Sequence, residues 1–249
     1  MIELHQGNCA DLMKIMKNNS VDLTVTSPPY DNLRKYNGYE FDFENTAQEL
    51  YRVTKKGGVV VWVIGDATIK GSETGSSFKQ ALYFMKCGFN LHDTMIYEKN
   101  SSTYPANNKS NRYSQIFEYM FIFSKGKPKT HNLIKDKPNK WAGYKDFSGK
   151  LKNPVPEFSP RNNIWKYTTS FNGKTGHPAV FPEQLAYDHI LSWSNKGNTV
   201  LDCFLGSGTT GKTAKQLSRN FIGIEISKEY LDIAKERIKN DRCSIYISC

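Results

Sequence analysis

Six consecutive residues, Val59-Val60-Val61-Trp62-Val63-Ile64, form a largely β-branched run with no polar position. Such a strand has no face to offer to water. It needs cover on both sides, which a parallel sheet with helices packed on each face supplies. The surrounding chain repeats the theme. Strands are predicted at Ile2–Gln6, Val21–Thr26, Leu91–Glu98, Glu118–Ser124, Thr199–Cys203 and Phe221–Glu225, making seven with the apolar run. Helices are predicted at Ala10–Lys17, with Leu12, Ile15 and Met16 on one side, and at Ala47–Thr54, Phe78–Lys86, Pro182–Trp193 and Thr209–Leu217. A last one begins after Ser227, whose Leu231, Ala234 and Ile238 recur at helical spacing. Strands alternating with helices predict a doubly wound, mostly parallel α/β sheet of seven strands.

Between the two regular halves, Lys125 to Thr175 is rich in Pro, Gly, Lys and Asn and loses periodicity, as an irregular insertion does. The charge is concentrated in the same region. The chain carries +10 overall, yet residues 99–174 hold 15 Lys/Arg against 4 Asp/Glu, while the remainder holds 19 against 20. Aromatic residues are interleaved with those lysines, among them Tyr104, Tyr113, Tyr119, Trp141, Tyr144, Phe147, Phe158, Trp165, Tyr167 and Phe171. That combination suits a polyanion with stackable bases; a solvated surface is the plainer reading. The expected division is a first core half at 1–99, a basic module at 100–175 to which 118–124 contributes an edge strand of the core, and a second core half at 176–249.

With 249 residues, 38% apolar and 23% charged, the chain is expected to be a soluble globular protein. No apolar run approaches the ~20 residues that span a bilayer. No secretion signal is visible at the N-terminus, so a cytoplasmic location without membrane contact is expected. The five cysteines are scattered, without a Cys-x-x-Cys pair, and read as reduced thiols with no metal site.

Two motifs carry chemistry. The first runs from strand through loop to helix: Asp202-Cys203-Phe204-Leu205-Gly206-Ser207-Gly208-Thr209-Thr210-Gly211. Glycines without Cβ atoms let a ligand approach the backbone, and the helix start offers unpaired N–H groups. Glu225 ends the next strand, where an acid accepts hydrogen bonds from ribose hydroxyls. Together they describe a nucleoside-cofactor pocket. The glycine spacing also fits the generic dinucleotide pattern. Against nicotinamide stands Asp202: an acid ahead of the glycines suits a cationic group, such as the amino group of a methionine moiety.

The second motif, Thr26-Ser27-Pro28-Pro29-Tyr30, directly follows a buried strand. Consecutive prolines remove two N–H donors and leave rigid carbonyls, able to accept from an amino group. Tyr30 offers a face to a planar ring. By itself the motif is also compatible with a turn that buries a tyrosine.

Together and in this order, the two motifs resemble those of the S-adenosylmethionine-dependent DNA amino methyltransferases of the permuted β class. Gly7-Asn8-Cys9, Lys56-Gly57-Gly58, Glu118 to Lys125 and His177-Pro178-Ala179-Val180-Phe181-Pro182 extend the resemblance over nearly the whole chain. It implies a permuted class I methyltransferase fold, with the basic segment as target-recognition module. Asp202, Phe204, Gly206, Ser207, Gly208, Thr209 and Thr210 would wrap the methionine end of the cofactor. Glu225 would hold the ribose, His177 would flank the methionine, and Asn8 would stand near the adenine, where the family usually has Asp. Ser27, Pro28, Pro29 and Tyr30 would form the catalytic corner.

Ser-Pro-Pro-Tyr usually accompanies transfer to N4 of cytosine in that family, with N6 of adenine the alternative. Carbon-5 methylation is disfavoured, because no cysteine here follows a proline. The implied partner is duplex DNA, read by base flipping, with Arg112, Arg161, Asn162 and Asn163 as candidate readers. A cognate restriction endonuclease belongs to the same picture, and the enzyme would act as a monomer or homodimer. RNA or small-molecule methylation, a non-catalytic nucleic-acid binder and a nicotinamide oxidoreductase are the competing classes.

Overall fold

The structure is a computed structural model that describes residues 1–29, 41–102, 106–107, 109–145, 153–168 and 182–240. The chain opens with β1 (Ile2–Gln6), α1 (Cys9–Lys14) and β2 (Val21–Thr26). Next, α2 (Phe43–Val53) runs directly into β3 (Thr54–Ile64). A small hairpin, β4 (Thr68–Ile69) and β5 (Ser72–Glu73), precedes α3 (Ser76–Lys86). Then come β6 (Asn90–Lys99), β7 (Phe117–Ser124), β8 (Lys135–Pro138), β9 (Phe158–Pro160) and β10 (Ile164–Tyr167). The described part closes with α4 (Glu183–Trp193), β11 (Thr199–Asp202), α5 (Thr209–Gln216), β12 (Asn220–Glu225) and α6 (Lys228–Lys239).

Among the described residues, eight strands form one sheet in the order β1-β12-β11-β2-β3-β7-β6-β10, in which only β7 runs against the others. The apolar run of β3 is buried on both faces, as its composition requires. Val59, Val61 and Val63 join a core that includes Leu185 and Ile190 of α4, Ala214 of α5 and Leu231 of α6. Val60, Trp62 and Ile64 join the opposite core, with Met13 of α1, Leu50 of α2 and Phe84 of α3. Three helices thus cover each face.

All seven expected strands are present, and the sequence prediction of a mostly parallel doubly wound sheet holds. The eighth, β10, comes from the basic module. Trp165 and Tyr167 point into the core while Ile164 and Lys166 stay exposed, a period-2 pattern too short to stand out among prolines and lysines. Residues 118–124, expected at an edge, lie instead in the interior. β7 is hydrogen-bonded to β3 on one side and β6 on the other, and β10 takes the edge. That position explains why Met120 to Phe123 are apolar at every residue.

Helix boundaries differ where caps act. α2 begins four residues before the expected Ala47, because Asp42 accepts from the Asn45 N–H at 3.1 Å and caps it. α1 ends at Lys14. Met13 is the fully buried residue and Ile15 is 83% exposed, so the stripe expected through Ile15 is not the packed one. Ser244–Ile247, a doubtful strand by sequence, lies outside the described residues. Among those described, no helix is long and apolar enough to cross a membrane.

A partly buried ion pair fastens the module to the core. Arg161 Nη1 donates to Asp188 Oδ2 of α4 at 2.7 Å, and its Nε donates to Asp136 Oδ2 at 2.8 Å. Tyr167 donates to the same Asp188 oxygen at 2.7 Å, and Gln184 Nε2 donates to Oδ1 at 2.7 Å. Both carboxylates hold the Arg161 guanidinium charged, while burial and Asp188 push the Tyr167 hydroxyl up. Asn163 donates to the Thr94 carbonyl and Asn162 accepts from Lys137. Arg161, expected as a base reader, is therefore a tether. Removing it leaves the Asp188 carboxylate, 5% exposed, with neutral donors alone. Arg161→Ala is expected to cost about 3 kcal/mol, an order-of-magnitude figure for an orphaned buried charge, seen as a lower midpoint in chemical denaturation. An unchanged midpoint would contradict the tether.

Candidate active site

β2 and β11 are adjacent and parallel, with Val200 beside Leu23 and Leu201 beside Thr24. Beyond their carboxyl ends the chain departs in opposite directions: β2 leads to α2 on one face, β11 to α5 on the other. That reversal opens a crevice at the sheet's carboxyl edge, the place where open α/β sheets receive ligands. β1 and β12 end at the same edge. Residues drawn from four distant stretches of sequence therefore converge there.

The two halves are in direct contact. Thr26 Oγ1, at the last residue of β2, donates to Asp202 Oδ1, at the last residue of β11, at 2.7 Å. The Phe204 N–H donates to the same oxygen at 3.1 Å. Ser27, Pro28 and Pro29 continue directly from Thr26, Ser27 half-buried and Pro28 buried. Burial pushes the Asp202 carboxyl up to about 6; hydrogen bonds from Thr210, Thr26 and the Phe204 N–H oppose the rise and the Glu225 charge adds to it.

The glycine loop turns tightly above β12. The Leu205 N–H donates to the Ile224 carbonyl at 2.9 Å, and the Gly208 N–H donates to the Leu205 carbonyl at 2.9 Å. Gly206 and Gly208 have φ of 51° and 83°, a region that favours glycine. A Cβ on Gly208 would lie 2.9 Å from the Ala234 Cβ of α6. Glu225 supports the loop: one carboxylate oxygen accepts from the Gly206 N–H at 2.8 Å and the other from the Ser227 N–H at 2.9 Å. A carboxylate offers about four acceptor positions, so capacity remains for a further donor. Burial raises the Glu225 carboxyl, against backbone N–H groups that favour its charge.

Ser207 is buried, and its carbonyl and hydroxyl both accept from Arg237 of α6. Thr209 and Thr210 are buried in the first turn of α5. The Phe204 ring packs edge-on against Phe41 at 5.2 Å and near Trp62 at 6.1 Å. Asn8 follows β1, whose Gln6 lies beside Glu225. Its Oδ1 caps α1 by accepting from the Ala10 N–H at 2.9 Å, which leaves the carboxamide nitrogen as its donor toward a ligand. Asn8, Ser27, Asp202, Phe204, Gly206 to Thr210 and Glu225 thus share one edge. Tyr30 and His177 lie outside the described residues.

Thr26 stood in the motif without an assigned role, and Arg237 escaped the sequence reading altogether. Thr26 and Thr24 were visible as polar residues in a strand whose other side chains are mostly apolar. Arg237 gave no signal, since a basic residue near a helix C-terminus is ordinary.

The chemistry of the crevice discriminates between cofactors. Its buried Asp and Glu side chains, among the described residues, are Asp202 and Glu225. A pyrophosphate would meet negative charge there. A nucleoside with a cationic tail meets the opposite: Glu225 for ribose hydroxyls, Asp202 for an ammonium, glycines for close approach. S-Adenosylmethionine fits that donor set. Among the described residues, no group of three or more His, Cys, Asp or Glu could hold a metal ion.

Comparison with known proteins agrees. The N6/N4 family model, described as DNA methylase, matches residues 21–236. The orphan methyltransferase M.BamHII of Bacillus amyloliquefaciens is 61% identical over 240 residues, covering 89% of each chain. The type II methyltransferase M.HpaI of Haemophilus parainfluenzae is 31% identical over 251 residues, covering 94% of this chain and 74% of the relative. Among solved structures, M1.HpyAVI in complex with SAM aligns with a TM-score of 0.67 at 28% identity, over 96% of this chain and 99% of that one. The cytosine-N4-specific PvuII DNA methyltransferase shares the fold, with a TM-score of 0.73 at 22% identity over 97% and 87%. The chain belongs to the N6/N4 DNA methylase family and is a DNA methyltransferase that uses S-adenosylmethionine.

Asp202 also sets a pH dependence for the ligand-free protein. Its value of about 6 lies above the ordinary 3.8. The protonated carboxyl therefore favours folding at low pH, and that contribution is lost as pH rises through about 6. Asp202→Asn keeps an acceptor for Thr26 and removes the buried charge. It is expected to be more stable than wild type by about 2 kcal/mol near pH 7.5, an order-of-magnitude figure, with the gap closing toward about pH 4. Thermal denaturation across that range checks it; a gap independent of pH would contradict the burial argument.

Proposed function

We propose that the chain methylates the exocyclic N4 amine of cytosine in duplex DNA, with N6 of adenine as the alternative target. The observation that carries this reading is the 2.7 Å hydrogen bond from Thr26 to Asp202, which sets the Ser27-Pro28-Pro29 corner beside the glycine loop. An amine held at the corner would stand next to a donor held by the loop.

The residues divide the work. When bound, S-adenosylmethionine supplies an electrophilic methyl group on a sulfonium. Asp202 would accept from its ammonium, Glu225 from its ribose hydroxyls, and Asn8 would donate to the adenine edge. His177 and its neighbours would close the methionine side. Ser27 Oγ and the Pro28 carbonyl would each accept a hydrogen from the target amine. That contact draws the nitrogen toward sp³ geometry and frees its lone pair for in-line attack. Ser27 is an acceptor and not a nucleophile, and positioning with polarisation supplies the rate effect. A base must leave the duplex to reach the corner, at a cost of a few kcal/mol. Stacking on Tyr30, about 1–3 kcal/mol by analogy with other base–aromatic contacts, would offset part of it.

The basic module would hold the duplex. Lys135, Lys137 and Lys140 are exposed on and beyond β8, where they suit phosphate contacts. Exposed Trp141 and Tyr144 stand edge to face on the same arm, ring centroids 6.4 Å apart. The description of M.BamHII as an orphan methyltransferase favours action without a dedicated restriction nuclease.

Ser-Pro-Pro in place of an Asp or Asn corner supports cytosine. The test is nucleoside analysis of DNA from a methylation-deficient host that expresses the chain. N4-methylcytosine is expected, and lost in Ser27→Ala. N6-methyladenine in its place would overturn the cytosine assignment and leave the family mechanism standing.

A further inference from the structure

We propose that Arg237 is a positioning residue for the cofactor: anchored on Glu183, it grips the glycine loop from behind and fixes the shape of the turn that receives the methionine end. The proposal rests on the reading of that loop as the cofactor's seat.

Ser207 stands between two glycines with left-handed φ. Without Cβ atoms on either side, the peptide planes of this turn are weakly constrained by sterics. Their orientation is set by hydrogen bonds. The peptide linking Ser207 to Gly208 is held at both ends: its N–H donates to the Leu205 carbonyl at 2.9 Å, and its carbonyl accepts from Arg237 Nη1 at 2.7 Å. The same nitrogen donates to Ser207 Oγ at 2.6 Å and lies 3.5 Å from Thr209 Oγ1, the first residue of α5. Hydrogen bonds from a charged donor are the stronger kind, and this one reaches the centre of the loop.

The guanidinium is itself held. Arg237 Nη2 donates to Glu183 Oε1 at 3.1 Å. Lys212 of α5 binds both oxygens of that carboxylate, at 3.0 and 2.9 Å. One acid at the start of α4 therefore ties α5 and α6 together beside the crevice. Glu183 also directly follows in sequence the 177–182 segment expected to flank the methionine moiety. A planar fork is needed to reach a carbonyl, a hydroxyl and a carboxylate together; a lysine ammonium supplies the charge without the fork.

The full-length variants Arg237→Gln, Arg237→Lys and Glu183→Gln test this against Asp202→Ala as the reference for the seat. Calorimetry reads S-adenosylmethionine affinity. Hydrogen exchange of the Ser207–Thr210 amides in the ligand-free protein reads loop order. Methyl transfer to unmethylated bacterial genomic DNA reads kcat at saturating donor. Arg237→Gln is expected to raise Kd about tenfold, the effect of losing one charged hydrogen bond, and to speed exchange in the loop, with kcat at saturation within about threefold of wild type. Arg237→Lys should recover part of the affinity, and Glu183→Gln should weaken it about threefold, since its anchor is one of several bonds. If Asp202→Ala weakens binding while all three variants bind within about twofold of wild type and exchange alike, Arg237 only fastens α6 and the proposal falls. Should Arg237→Gln fail to fold, Arg237→Lys and the surface variant Glu183→Gln decide by the same criterion. Unchanged affinity in Asp202→Ala overturns the seat itself, and the proposal with it.

Discussion

Asp202 is almost entirely removed from water, yet it lies between two halves of the sheet that are far apart in sequence. The hydrogen bond it accepts from Thr26 makes the end of β2 and the end of β11 one surface. A buried carboxyl has to be satisfied, and here the donors are Thr26, Thr210 and the Phe204 N–H. Each belongs to a segment that must be correctly placed for the crevice to exist. The order of strands, the reversal between β2 and β11 and the tight glycine turn all serve to bring those donors together.

The charge pattern follows the same division of labour. The net excess of +11 lies in residues 99–174, while the crevice at the carboxyl edge of the sheet buries two acids. On the proposed reading, a cationic donor and a polyanionic acceptor would meet surfaces of opposite sign on one chain. The Arg161–Asp188 pair fastens the positive module to the helix that packs over the sheet, so the two surfaces keep a fixed relation. Carrying a buried, ionisable Asp202 lowers stability at neutral pH. Functional sites commonly carry such a cost, and a cationic ligand would offset it.

Much of this was legible in the residues. The run Val59 to Ile64 dictated a strand covered on both faces, and the loop from Asp202 to Gly211 pointed to a turn between strand and helix, which the structure places at the carboxyl edge of the sheet. What stayed hidden has physical causes. β10 is four residues long, and only its alternation of Trp165 and Tyr167 with Ile164 and Lys166 betrays it. Arg161 looked like a reader of bases because the partners that occupy it, Asp136 and Asp188, are distant in sequence. Asn8 suggested a ligand contact, yet its side-chain oxygen caps α1, a local use that sequence shows only when the helix start is placed correctly. Arg237 was invisible because its role depends on where a loop thirty residues earlier folds back.

The most direct measurement is a crystal structure of the chain with S-adenosylmethionine bound. The ammonium is expected within about 3 Å of Asp202, the ribose hydroxyls on Glu225 and the sulfonium methyl directed toward Ser27 and Pro28. A cofactor seated away from Asp202, or with its methyl turned from that corner, would contradict it.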